Sequence, residues 1–342
     1  MVKKIFILLA IILCFIALIA YSQKDATQNA VSNSSSVSQK NISQQDNYYP
    51  FVLSIYDDKK NEIKQIIEKE PQRIVVIGQG FAEWMIGLGE KNRIVGLAYL
   101  DKSFSEYEEQ ITSLPIITDM WPSKESILEL KPDLIISMSS AFQKDRLGDI
   151  SFWNERGIPV LTGINYTIGR TIDGFFDDIN NLGKVLNIEK KTNTFINEQK
   201  EKIIEIKTKA VQANNRPKIL LLGTSGNKTY YYGPSLCLID EIIEDVGGEY
   251  IKVSKETYVD MSEESILSVN PDKIIITGFQ KSDSEALINK YLLNPKLRSA
   301  TAIKTGNVKV VEYTNAVRGS LGLSDLYMNV AEFIHPELFK GE

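Results

Sequence analysis

Residues 123–136 read Ser-Lys-Glu-Ser-Ile-Leu-Glu-Leu-Lys-Pro-Asp-Leu-Ile-Ile, and residues 262–275 read Ser-Glu-Glu-Ser-Ile-Leu-Ser-Val-Asn-Pro-Asp-Lys-Ile-Ile. Nine of the fourteen aligned positions are identical. Each copy starts with a serine that can cap a helix, runs two helical turns, meets a proline that the helix cannot pass, and ends in an apolar run of buried-strand type. The copies lie 139 residues apart. That spacing is too long for a solenoid and indicates two lobes of similar build.

Working outward from each copy, strand-like and helix-like segments alternate. Phe51 to Tyr56, followed by Asp57-Asp58-Lys59-Lys60-Asn61, predicts a hairpin. Arg73 to Ile77 is an apolar strand, Phe81 to Leu88 a helix and Arg93 to Leu97 a second strand. Alternation of this kind belongs to a parallel sheet covered on both faces. Ile172, Phe175, Phe176, Ile179, Leu182 and Val185 form a helical stripe, and Lys190 to Val211 predicts a helix about 30 Å long. Such a helix is long enough to cross between two lobes and restrict their hinging; an ordinary surface helix is the other reading of the same spacing. Lys218 to Leu222 opens the second lobe as a strand, and Cys237 to Val246 predicts a helix ended by Gly247-Gly248, with Cys237 as a small core residue. Val308 to Glu312 and Ser324 to Ile334 supply a late strand and helix.

Composition excludes several classes of chemistry. The net charge of −5 gives no concentrated basic surface, so nucleic acid is not an expected partner. The two cysteines, Cys14 and Cys237, cannot build a disulfide framework, and the single histidine, His335, rules out a paired-histidine metal site. Met1-Val2-Lys3-Lys4 followed by the apolar run Ile5 to Ala20 predicts a secretion signal over residues 1–20. A retained membrane anchor is the alternative reading. Tyr21 stands where a lipidated cysteine would follow Leu18-Ile19-Ala20. Residues 21–48, rich in Ser, Gln and Asn, predict a flexible tether, and leader and tether together place a folded body just outside a membrane.

With both repeats, the crossing helix and the export signal, the chain resembles the substrate-binding proteins of ABC importers, in the iron-siderophore, haem and cobalamin group. The resemblance covers about Pro50 to Phe339 and rests on Pro71-Gln72-Arg73-Ile74-Val75-Val76, Arg93-Ile94-Val95-Gly96, the two Glu-Ser-Ile-Leu segments with their Pro-Asp, Asp245-Val246-Gly247-Gly248 and His335-Pro336-Glu337-Leu338-Phe339. It implies an α/β fold of two Rossmann-like lobes with parallel central sheets, joined by a long interlobe helix. The expected boundaries are 49–170 for the first lobe, 171–213 for the linking helices and 214–342 for the second lobe. It implies a metal-chelate ligand held without chemical conversion, an ABC permease as partner and no cofactor of the protein's own. The family's permease-docking glutamates fall on Glu125 and Glu264, one per repeat copy. A favourable interaction of acidic groups with a helix N-terminus is the competing reason for a carboxylate there.

Ligands of open α/β sheets bind outside the carboxyl ends of the strands. That rule nominates Gly80, Met120, Trp121, Phe142, Tyr166, Tyr230, Tyr231, Tyr232, Phe279 and Tyr313, mostly aromatic groups suited to a bulky guest with flat faces and polar edges. Arg318 is nominated to hold an anionic chelate, with an interlobe salt bridge as its alternative role. Gly78-Gln79-Gly80-Phe81-Ala82-Glu83 with Asp101 half-resembles a dinucleotide fingerprint, but Glu83 replaces the third glycine and would repel a pyrophosphate. Gly223-Thr224-Ser225-Gly226 lacks the spacing of a nucleophile elbow. The rival readings are an exported α/β enzyme using the same cleft and a tethered adhesion or assembly protein.

Overall fold

The computed structural model describes residues 48–101, 105–226, 228–256, 258–278 and 283–339, apart from the side chain of Tyr166. The expected leader (1–20) and almost all of the expected tether (21–48) lie outside the described residues. The described residues fall in one compact unit.

The repeat units do what their sequence dictates. Ser123 caps helix Lys124–Glu129 by accepting from the Ser126 amide at 3.1 Å, and Ser262 caps helix Glu263–Val269 by accepting from the Ser265 amide at 3.2 Å. After each helix the chain turns left-handed at Lys131 or Asn270, immediately before the proline. The aspartate that follows each proline then anchors the neighbouring strand. The Asp133 carboxylate accepts from the Gln72 and Arg73 amides, the latter at 2.8 Å, and that of Asp272 accepts from the Lys218 amide at 2.8 Å. Both repeats therefore set the register of a central strand against its neighbour.

An antiparallel hairpin, β1 (Phe51–Tyr56) and β2 (Glu62–Ile67), opens the body as expected. The first lobe contains β3 (Ile74–Ile77), β4 (Ile94–Ala98), β5 (Ile116–Thr118), β6 (Leu134–Ser137) and β7 (Val160–Thr162), all parallel, in the order β5-β4-β3-β6-β7. β3 and β6 are buried at every residue, which is why both read as unbroken apolar runs. The second sheet contains β8 (Lys218–Ser225), β9 (Lys228–Tyr231), β10 (Glu249–Tyr250), β11 (Val259–Asp260), β12 (Lys273–Gly278) and β13 (Val308–Glu312). β8, β10, β12 and β13 are parallel, whereas β9 pairs antiparallel with β8, and β11 pairs antiparallel with β9 at the sheet edge. The repeat holds at the level of the sheets: β6 pairs with β3, the first strand of its sheet, and β12 pairs with β8, the first strand of the other.

Eight helices carry site residues or join the lobes: α1 (Gln79–Gly87), α2 (Lys124–Glu129), α3 (Ile172–Leu186), α4 (Glu189–Ala210), α5 (Ile239–Asp245), α6 (Glu263–Val269), α7 (Tyr313–Arg318) and α8 (Leu323–Ile334). The predicted stripe on α3 is buried throughout, from Ile172 to Val185. The 22 residues of α4 span about 33 Å. This helix packs against α3 on one side and against α8 of the second lobe on the other, where Gln199 Oε1 accepts from the Ser324 amide at 2.7 Å. It is a strut between the halves, not a free surface helix. Cys237 precedes α5 and is wholly buried, with its thiol pushed up to about 12 by burial, as a core cysteine should be.

Candidate functional site

In the first lobe the carboxyl ends of the strands deliver Gly80 (after β3), Tyr99 (after β4), Met120 and Trp121 (after β5), Ser139 (after β6) and Asn165 (after β7). In the second they deliver Tyr313 after β13, while β9 contributes Tyr230. The two sets of segments meet. Asn165 Nδ2 donates to the Arg318 carbonyl at 3.2 Å, Trp84 Nε1 donates to the Gly319 carbonyl at 3.3 Å, and the Arg318 guanidinium pairs with Asp101.

That pair crosses the seam, with the two side chains 7% and 1% exposed. Burial pulls the Arg318 guanidinium below its ordinary value, to about 10, so it is charged at neutral pH. Of the two roles expected for Arg318, the structure gives it the interlobe salt bridge. Asp101 is explained by the same bond and not by a cofactor ribose. Gly80 is buried in the first turn of α1, against Arg318 and Thr314 of α7.

The nominated aromatic residues divide into two groups. Trp121 is half-buried, with the Tyr99 ring 4.3 Å from its centroid and the Arg146 guanidinium 4.3 Å over it. Met120 beside it is 59% exposed. Tyr230 and Tyr313 are half-buried. Tyr230 makes edge contacts with Tyr232 at 5.4 Å and with Tyr258 at 5.2 Å. Burial raises the Tyr313 hydroxyl above its ordinary value, the Arg170 charge opposes that shift, and Tyr258, Tyr230 and Tyr99 reinforce it. Part-exposed rings thus lie on both lobes, Tyr99 with Trp121 on the first and Tyr230 with Tyr258 on the second.

Three nominations are corrected by burial. The run Tyr230-Tyr231-Tyr232 belongs to the strand β9 and its end, not to a loop, and successive side chains on a strand point to opposite faces. Tyr231 is fully buried, stacked on Tyr250 at 6.1 Å with the two hydroxyls 2.9 Å apart. Tyr232 is also fully buried and supports Tyr230 from beneath. Phe142 is 4% exposed at the end of the short helical turn Ser139–Phe142 and packs into its own lobe. Phe279 lies outside the described residues, and Tyr166, in the short helix Ile164–Thr167, has no described side chain.

Gly223 is placed by these rings. A Cβ there would come within 2.3 Å of Tyr230 and 2.7 Å of Tyr232, so only glycine leaves room for them. Gly223 accordingly serves packing, while Ser225 and Gly226 are exposed at the end of the strand.

Sequence reasoning missed Tyr99, Tyr258 and Arg146, which contact the nominated rings. The same strand-end rule could have found Tyr99, one residue past β4. Tyr99 and Tyr258 have left-handed backbone, φ 57° and 55°, which is uncommon for a bulky side chain and is held by the surrounding structure. A separate hollow of about 430 Å³ between Glu83, Tyr107, Glu312 and Asp325 lies on the flank of the seam. Its carboxylates, Glu106 included, make it unsuited to an anionic guest. Among the described residues no cluster of histidine, cysteine and carboxylate side chains is arranged to hold a metal ion, and no helix is long and apolar enough to cross a membrane.

Glu125 and Glu264 are fully exposed at the equivalent positions of α2 and α6. Each carboxyl is held below its ordinary value, first by its own backbone amide and then by the capping serine. Because each helix runs back to the start of the following strand, its first turn lies level with the strand carboxyl ends. The two glutamates therefore mark the same end of their lobes as the aromatic clusters.

Comparison with known proteins agrees with this architecture. The family described as "Periplasmic binding protein" matches residues 74–313. The uncharacterized ABC transporter substrate-binding lipoprotein YvrC of Bacillus subtilis is 23% identical over 85% of this chain and 88% of its own length. A cobalamin-binding protein of Halobacterium salinarum is 25% identical over 72% of this chain and 64% of its own. A solved periplasmic binding protein from Veillonella parvula superposes with a TM-score of 0.73 at 23% identity, covering 85% of this chain and 93% of that one, and so shares the fold. The chain belongs to the periplasmic binding protein family, the substrate-binding components of ABC importers.

Proposed function

We propose that this protein captures a metal-chelate, of the iron-siderophore, haem or cobalamin kind, between its lobes outside the cytoplasmic membrane and hands it unchanged to a permease. The observation that carries the reading is the presence of a part-exposed aromatic cluster on each lobe, Tyr99 with Trp121 under the Arg146 guanidinium on the first and Tyr230 with Tyr258 on the second. Rings of this type cover a large chelate with little loss of conformational freedom, and their hydroxyls meet its polar edge. The relative named for cobalamin supports the chelate class. Delivery runs through Glu125 and Glu264, which stand exposed in equivalent places on the two lobes, where a permease offering two cationic pockets would engage both. The apolar leader and polar tether keep the body at the outer membrane face.

Trp84 and Trp153 are buried at 4% and 0% exposure, which leaves Trp121 as the fluorescent reporter beside the proposed site. Titration with ferric siderophores, haem and cobalamin is expected to quench its emission saturably. The double substitution Glu125→Ala and Glu264→Ala should abolish uptake in cells while leaving that titration unchanged. Absence of saturable binding to any of these chelates, or their chemical turnover by the pure protein, would refute the reading.

A further inference from the structure

We infer that Arg146, stacked on Trp121, recognises anionic oxygens on the guest and so selects a metal-chelate bearing carboxylate or similar groups over a neutral one. This rests on the chelate reading above and goes beyond it in naming the residue and the chemistry it selects. The Arg146 guanidinium lies 4.3 Å over the Trp121 ring, and the Tyr99 and Trp121 ring centroids are 4.3 Å apart. Three strand ends bring these groups together: Tyr99 follows β4, Trp121 follows β5, and Arg146 stands in the loop beyond β6. All three therefore belong to the carboxyl edge of the first lobe's sheet, where open α/β sheets receive their ligands.

The loop that carries Arg146 is closed by its own backbone. The Arg146 and Gly148 amides both donate to the Gln143 carbonyl, at 3.0 and 2.9 Å, and the Leu147 amide donates to the Ala141 carbonyl at 3.0 Å. The side chain is held at its tip as well, because Nη1 donates to the Ser140 carbonyl at 2.8 Å while the indole covers one face of the guanidinium. Little side-chain freedom therefore remains to be lost on binding. The charge, however, is not used up. Among the described residues Nε and Nη2 make no hydrogen bond and are not sealed from solvent, and no carboxylate stands at ion-pair distance from Arg146. The acidic groups nearest in sequence, Asp145 and Asp149, are exposed. A second cation borders the loop, since Lys124 Nζ crowds the space beside Gly148 and lies 4.5 Å over the Phe152 ring. Arg318, by contrast, is committed to Asp101 in a buried pair. A planar guanidinium fixed on an indole with donors to spare suits a carboxylate edge, because charge-assisted hydrogen bonds to it are short and strong. A neutral guest would desolvate the same guanidinium with no charge to offset the cost.

Calorimetric titration of the full chain tests this without relying on the emission of Trp121, which Arg146 itself touches. The probes are two anionic chelates, ferric citrate and haem, and two neutral ones, ferrichrome and cyanocobalamin. The wild type should favour an anionic probe, with an affinity that falls as sodium chloride is raised. Arg146→Gln should weaken that probe about 10-fold and flatten its salt dependence, while shifting any neutral probe that binds by less than about twofold. Arg146→Lys, which keeps the charge and loses the fork, should fall between wild type and Arg146→Gln. Weakening by Arg146→Gln with the salt dependence unchanged, or equal weakening of both classes, would reduce Arg146 to a structural brace and overturn the inference. An anionic probe that Arg146→Gln leaves untouched overturns it too. A wild type that favours the neutral probes, or binds without charge preference, overturns the inference alone. A wild type that binds none of the four overturns it together with the reading beneath it.

Discussion

Asp178 shows how far one side chain can depart from its sequence-level expectation. It lies on α3, 5% exposed, and accepts from the Ile164 amide at 2.6 Å and the Asn165 amide at 3.0 Å. Burial raises its carboxyl from 3.8 to about 7, and those two hydrogen bonds only partly offset the effect. Between these values the folded protein holds a proton that the unfolded chain releases. This group's contribution to stability is therefore complete below about pH 4, declines as pH rises, and is gone above about pH 7. Thermal melts are expected to show a midpoint that falls between pH 5 and 7, with a shallower fall in Asp178→Asn; equal slopes would remove Asp178 as a cause. The spacing of α3 puts Asp178 on the buried stripe, three residues after Phe175 and four before Leu182, with Asp177 turned away, but it does not show which amides meet the carboxylate.

At the scale of elements, the contact of α7 with α3 depends on one backbone conformation. Gly319 follows α7 with φ 79°, and a Cβ there would stand 2.5 Å from a Phe175 ring carbon. Gly319→Ala therefore combines left-handed strain with overpacking and should cost about 2–4 kcal/mol in urea unfolding, with weaker chelate binding because α7 carries Tyr313. A change below about 0.5 kcal/mol would show that the helices yield without penalty. α3 and α4 came within one residue of their expected limits at the ends named. Regular apolar spacing announced α3, whereas the apolar residues of α4 are less regular and Ile204 is exposed. The antiparallel pair β9 and β11 was not legible. Three consecutive tyrosines carry no alternation of polarity, so only the pairing shows which ring faces which way.

For the whole molecule, the question is how tightly the lobes are joined. The α4 strut limits their motion, and the Arg318–Asp101 pair closes the seam between them. Arg318→Met alone strands a buried carboxylate and should cost about 3–5 kcal/mol, whereas adding Asp101→Leu should recover most of that loss. Urea unfolding of the single and double variants decides this; a double variant no better than the single would mean that the pair is worth more than its desolvation. The fold class was readable because the duplicated helix–Pro-Asp–strand unit fixes a local structure twice, and each unit's aspartate ties it to one neighbouring strand.

Short-range chemistry in the chain determined the caps, the helix stops, the buried strands, the doubled lobe and the exposed glutamates, since all of these depend on residues a few positions apart. Tertiary structure alone decided the composition of the site. Arg318 was spent on Asp101, Tyr231 and Tyr232 went into the core, Tyr99 came beside Trp121, and Tyr258 came beside Tyr230. The physical reason is separation along the chain: a guanidinium 217 residues from its carboxylate has no local signature, and a charge is defined by what folding brings beside it.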